Sequence, residues 1–155
     1  MLVFKKYSSI ENSFNKEYME RVMAEMPADL EYVVQEKVHG ANTSFLCDGT
    51  GVRFAKRTSL LEEREDFYEY GELLEAYRDR VLSLFRRLKA RYPKVTHISV
   101  FGEMFGGRYP HDDVKVSHRL SLIQKGVCYT PEHEFYGSTS ISSKVSRAGI
   151  CPSMK

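Results

Sequence analysis

Apolar and polar positions along the chain change period several times, and each change marks an element. Tyr18, Met19, Val22, Met23 and Met26 recur at helical spacing, and Pro27 stops the run, which predicts a helix over about 15–26. Its apolar stripe is expected to pack into a core. From Glu31 to Val38 the period becomes that of a strand, with Tyr32, Val33, Val34 and Val38 set around Gln35, Glu36 and Lys37. His39-Gly40-Ala41-Asn42 reads as a glycine-containing turn that interrupts this strand before it resumes at Thr43–Cys47. Asp48-Gly49-Thr50-Gly51 then separates Thr43–Cys47 from Val52–Arg57, a hairpin signal because Gly and Asp tolerate the positive φ of tight turns.

Leu73, Leu74, Tyr77, Val81, Leu84, Phe85 and Leu88 recur at three- and four-residue steps, predicting a long helix within Asp66–Tyr92, with Gly71 as a break point and Pro93 just beyond. Arg86, Arg87, Lys89 and Arg91 crowd its last turns, where cations complement the helix dipole and stay solvated. His97–Phe105 reads as a buried strand that ends in Gly102-Glu103, and Gly106-Gly107 as a sharp turn. Tyr109–Lys125 is a long excursion, and Val127–Tyr136 a further strand interrupted by Pro131. Residues 138–155 are rich in Ser and Thr without hydrophobic periodicity and are expected to form a poorly ordered tail. The sum is an α+β domain with an antiparallel sheet and a prominent helix between strands.

Composition narrows the classes. The 155 residues are 42% hydrophobic and 12% aromatic, enough for a core, which excludes global disorder. With 23 Lys and Arg against 21 Asp and Glu, the net charge of +2 excludes a histone-like polycation but leaves room for a locally basic face. No apolar run approaches the roughly 20 residues of a membrane span, and Met1–Ile10 carries charges where a signal peptide is apolar, so a soluble, cytoplasmic protein without a membrane partner is the expectation. Cys47, Cys128 and Cys151 are odd in number and widely spaced, which supports neither a disulfide framework nor a zinc ribbon.

Three strand ends carry chemistry. Glu36-Lys37-Val38-His39-Gly40 sets a lysine beside a glycine turn, Phe54-Ala55-Lys56-Arg57-Thr58 supplies two cations, and Val100-Phe101-Gly102-Glu103 supplies a carboxylate. A free lysine amine has a pKa of about 10.4, so it attacks phosphorus only where its surroundings favour the neutral form. Cations around phosphate and a carboxylate for a ribose hydroxyl or a metal ion suit a nucleotide site. The simpler reading of the same residues is an ordinary Arg57–Glu103 ion pair. No GxxxxGK[ST] run is present, so the site is not a P-loop. His111-Asp112-Asp113 lacks ordered ligand spacing and reads as solvated, and Tyr68, Tyr70 and Tyr77 read as packing rather than base-stacking residues.

Taken in order, Phe4-Lys5-Lys6-Tyr7-Ser8-Ser9-Ile10-Glu11-Asn12, Glu36-Lys37-Val38-His39-Gly40-Ala41-Asn42, Phe54-Ala55-Lys56-Arg57-Thr58 and Val100-Phe101-Gly102-Glu103 resemble the motifs of ATP-dependent RNA ligases of the RNA ligase 2 type, the group of phage RNA ligase 2 and the kinetoplastid RNA-editing ligases. The resemblance covers roughly residues 1–137. It implies the amino-terminal part of an antiparallel-sheet, ATP-grasp-like nucleotidyltransferase domain that joins RNA 3′-hydroxyl and 5′-phosphate ends through lysyl-AMP and RNA-adenylate, with ATP and Mg2+. It further implies that Lys37 is the nucleophile, that Glu36 holds adenine, that Arg57 and Glu103 engage the ribose or its surroundings, and that His39 and Asn42 act in later steps on RNA. Glu103 is also the one candidate metal ligand, and Lys56 lies beside the site.

Beyond Glu103 the chain departs from the family. His133-Glu134-Phe135-Tyr136-Gly137 approaches the family's FDI motif, but the aromatic that stacks on adenine would fall at Ser138, and the later EGxV and KxK motifs are absent. The expectation is a frameshift or premature end of a once longer ligase at Ser138, with a separate polypeptide as one source of the missing motifs. The competing reading is a non-catalytic remnant that still binds nucleotide or RNA.

Overall fold

A computed structural model describes residues 4–8, 11–27, 29–31, 35–115 and 118–145, with backbone only over 138–145. Its described residues form two compact units, one within Met1–Lys6 and Val38–Lys155 and the other within Tyr7–Lys37. The smaller unit holds helix α1, Lys16–Glu25, whose first turn is capped by the Asn15 side chain accepting from the Tyr18 N–H at 3.2 Å. Within this unit the apolar stripe of α1 meets no core among the described residues. No residue of α1 is buried, and Met23 is 66% exposed. The unit has no strand among its described residues, so it offers no second layer of its own on which the stripe can close. Of the strand expected over 31–38, residues 32–34 lie outside the described residues, and 35–38 are irregular.

The larger unit is a four-stranded antiparallel sheet in the order β2-β1-β3-β4, crossed by one long helix. Its strands are β1 (Ala41–Cys47), β2 (Val52–Lys56), β3 (Val95–Gly106) and β4 (His133–Val145), and α2 spans Tyr70–Arg91. The β1–β2 hairpin forms as the sequence predicts, Thr43 opposite Lys56 through Cys47 opposite Val52. In its turn, Asp48 Oδ1 accepts from the N–H and hydroxyl of Thr50, and Gly49 takes φ +90°. α2 starts at Tyr70, later than the predicted stretch, after Tyr68 and Glu69 turn through positive φ, and Gly71 lies inside the helix without breaking it.

Strand alternation sorts the sheet into two faces. Thr43, Phe45 and Cys47 share one face with Phe54, Ile98 and Val100, and Leu73, Val81 and Phe85 of α2 close over it. Phe45 is the hub: its ring meets Phe54 and Phe135 edge-on at 4.8 Å and stacks on Tyr77 at 5.6 Å. Tyr70 stacks on Phe54, so Tyr70 and Tyr77 are packing residues, as the sequence predicts. The opposite face carries Asn42, Ser44 and Leu46, with Ala55, Phe101 and Glu103 as cross-strand neighbours.

Three expectations are corrected here. Ala41 and Asn42 are not part of a turn, because β1 already begins at Ala41. β4 starts at His133 rather than Val127, since Pro131 cannot donate to a ladder. The chain does not leave the sheet at Ser138, because β4 continues to Val145; residues 146–155 lie outside the described residues, Cys151 among them. Ser138 does mark an irregularity: Val100 pairs with Ile141 and Gly102 with Gly137, so residues 138–140 face Phe101 alone. Cys47 is a buried free thiol whose pKa is raised by that burial, as expected of an inert core cysteine.

Two stability predictions follow from this packing. Phe45→Ala removes the central ring and should cost about 3–5 kcal/mol in urea unfolding; a loss under about 1 kcal/mol would show that the ring cluster does not hold the sheet to α2. The Thr50 hydroxyl bond holds the Asp48 carboxyl below its ordinary 3.8, so this contribution is present above that value and is lost as pH falls through the lowered one. Wild type should therefore exceed Asp48→Asn in stability at pH 6, by less than about 1 kcal/mol at this exposed turn, and the gap should narrow as the pH is lowered below the ordinary carboxyl value. A gap independent of pH would contradict this assignment.

Candidate active site

Where the chain approaches β1 it runs against β3. A Cβ built on Gly40 would lie 2.1 Å from the Met104 carbonyl oxygen, well inside any tolerable contact, so only glycine fits. The space is thus closed by β3 itself. Contact this close brings the Gly40 N–H to Glu103 Oε1 at 3.2 Å, and Glu103 Oε2 has no hydrogen-bond partner among the described residues.

Glu103 and Asn42 are cross-strand partners, and Tyr136 continues the row on β4. Paired residues of antiparallel strands project from one face with Cβ atoms about 4.5–5.5 Å apart, so Asn42 and Glu103 stand together, both half-buried. Arg57 is exposed and follows the last residue of β2 directly. No Arg57–Glu103 ion pair forms among the described residues, which removes the simpler reading of those two side chains.

Lys56 falls on the other face, opposite buried Thr43, and pairs with Glu65, whose carboxyl it holds below its ordinary range. The structure thus separates Lys56 from Asn42 and Glu103, although sequence spacing put it beside them. Glu36 and Lys37 are both exposed and close the smaller unit, and Lys37 precedes Gly40 by three residues along the chain. His39 is exposed, and its backbone N–H donates to the Tyr129 hydroxyl at 3.0 Å. Phe135 is occupied by the ring cluster on the α2 face, while Tyr136 is 40% exposed.

No group of three His, Cys, Asp or Glu side chains among the described residues gathers as a metal site, and His111 and Asp113 are 3.8 Å apart on the surface. Glu103, the metal-ligand candidate of the sequence, thus stands without a second acidic or histidine ligand gathered beside it among the described residues. Two concave regions of about 580 and 590 Å3 flank α2, and neither is lined by Asn42, Arg57 or Glu103. No helix among the described residues is long and apolar enough to cross a membrane.

Sequence reasoning missed two contacts to the segment after Lys37. Tyr129 receives the His39 N–H, and the Gln124 side-chain amide donates to the Gly40 carbonyl at 2.9 Å. These contacts span 90 and 84 residues, beyond the reach of any local pattern.

Comparison with known proteins bears on the family of the chain. The RNA ligase family model matches residues 30–137. Over 124 residues the chain is 29% identical to the mitochondrial RNA-editing ligase 2 of Trypanosoma brucei brucei, covering 78% of this chain and 30% of that protein. It is 32% identical over 102 residues to the mitochondrial RNA-editing ligase 1 of the same organism, covering 62% and 22% respectively. The chain therefore spans less than a third of the length of these curated relatives. The family match extends over more than half of the sequence, from before Lys37 to beyond Glu103, and on that ground the chain belongs to the RNA ligase family.

Proposed function

We propose that this chain carries out the self-adenylylation step of an ATP-dependent RNA ligase, with Lys37 as nucleophile. The observation that carries this reading is the Gly40–Glu103 hydrogen bond, which ties Gly40 of the EKVHGAN segment to a carboxylate within β3. Gly40 and Glu103, from two of the three motifs, thereby meet, and the third, through Arg57, follows β2, which pairs with β1.

In the proposed step the neutral Lys37 amine attacks the α-phosphorus of ATP. A P–N bond forms, the P–O bond to pyrophosphate breaks with its electron pair, and the amine proton passes to solvent. Glu36 contacts adenine, and Arg57 and the open oxygen of Glu103 take the ribose and its surroundings. Mg2+, carried by the phosphates, would supply charge neutralisation. An RNA 5′-phosphate oxygen next attacks the same phosphorus and displaces the lysine. A 3′-hydroxyl then attacks the RNA phosphate, seals the strand and releases AMP. Asn42 and His39 serve these later steps on RNA.

Family membership and the similarity to RNA-editing ligases support this reading. After incubation of the 155-residue chain with ATP and Mg2+, intact mass should show one AMP added, and Lys37→Ala should show none. A folded wild-type chain that takes up no AMP would instead favour a nucleotide- or RNA-binding fragment without ligase chemistry. Gly40→Ala must displace the chain from Met104 and should slow adduct formation by about tenfold or more. A wild-type rate in that variant would show that the approach to β1 is not set by this contact.

A further inference from the structure

We infer that Tyr129 and Gln124 are positioning residues for the reactive lysine; the inference rests on the reading of Lys37 as nucleophile. Residues 39 and 40 lie just outside the β1 ladder, so their peptide groups have no strand partner of their own. Side chains from three distant points in the sequence hold them instead. Tyr129 accepts from the His39 N–H at 3.0 Å, Glu103 accepts from the Gly40 N–H at 3.2 Å, and Gln124 donates to the Gly40 carbonyl at 2.9 Å.

The two residues are themselves held. The Tyr129 ring stands edge-on to buried Phe105 of β3, with centroids 5.4 Å apart. Gln124 follows buried Ile123, whose N–H donates to the Gly106 carbonyl at 3.4 Å. A second backbone bond, from the Gly107 N–H to the Glu132 carbonyl at 3.2 Å, fastens the far end of the same excursion. The excursion between β3 and β4 is therefore anchored at the end of β3, and from there it grips the backbone that leads from Lys37 into β1.

Tyr129 and Gln124 both act on peptide groups through which the chain passes from Lys37 to β1. An attacking amine must meet phosphorus in line with the leaving group, and displacement by about 1 Å can lower a rate a hundredfold. Loss of one bond in this grip should therefore slow the chemical step and leave the nucleotide contacts intact.

The test is single-turnover formation of the AMP adduct over a range of ATP concentrations, with thermal melting alongside, for wild type, Tyr129→Phe and Gln124→Glu. Tyr129→Phe keeps the ring on Phe105 and removes only the acceptor. Gln124→Glu keeps the shape and replaces the donor with an acceptor. Exposed Lys125→Gln serves as the control. The expected result is a rate at saturating ATP about tenfold lower in both variants, with half-saturating ATP and melting temperature unchanged and the control at wild-type rate. Wild-type rates in both variants would overturn the positioning role while leaving Lys37 chemistry in place. A rate loss that tracks a lowered melting temperature, or that the control shares, would overturn it as a stability effect. Absence of any adduct from the wild-type chain would overturn the nucleophile reading itself, and the positioning role with it.

Discussion

A side chain at position 40 would collide with the Met104 carbonyl, and this steric limit fixes where the chain joins the sheet. The close approach brings the Gly40 N–H within reach of Glu103, sets β1 in register with β3, and places Asn42 opposite Glu103. With that register set, strand alternation decides the rest. Phe45 is committed to the face under α2, and Asn42 and Glu103 are committed to the other. The ring cluster under α2 and the Asn42–Glu103 pair are thus assigned to opposite faces by one period-two rule, while Leu46, Ala55 and Phe101 are buried on the second face too.

That separation also sorts the cations. Lys56 and Arg57 are adjacent in sequence, yet Lys56 lies on the α2 face in its pair with Glu65, while Arg57 lies one residue past the strand end. A nucleotide site on the Asn42–Glu103 face has Arg57 at its margin and not Lys56. The aromatic pair behaves likewise: Phe135 is spent on the core, and Tyr136 stands in the Asn42–Glu103 row with part of its ring exposed.

Much of this was legible in the sequence where the signal was local. The DGTG turn announced the β1–β2 hairpin through residues that accept positive φ, and the Leu73-to-Leu88 stripe announced α2 through its period. The Lys37, Arg57 and Glu103 motifs were legible from their order, and they carried the family resemblance that the RNA ligase match supports. Where tertiary contacts decide the outcome, local pattern failed. The α1 stripe has helical period but meets no layer among the described residues of its own unit, and β1 begins at Ala41 because β3 lies alongside. Tyr129 and Gln124 act on residues 90 and 84 positions away, and neither carries a neighbouring motif that would single it out.

The central claim is that the amine of Lys37, and no other, takes up AMP. Its most direct test is proteolysis of the adenylylated chain followed by fragmentation of its peptides, which locates the added mass on one side chain. The account predicts AMP on Lys37 alone, in the peptide that contains Glu36 and precedes Val38. AMP on Lys56, whose side chain is paired with Glu65 on the opposite face, would contradict it.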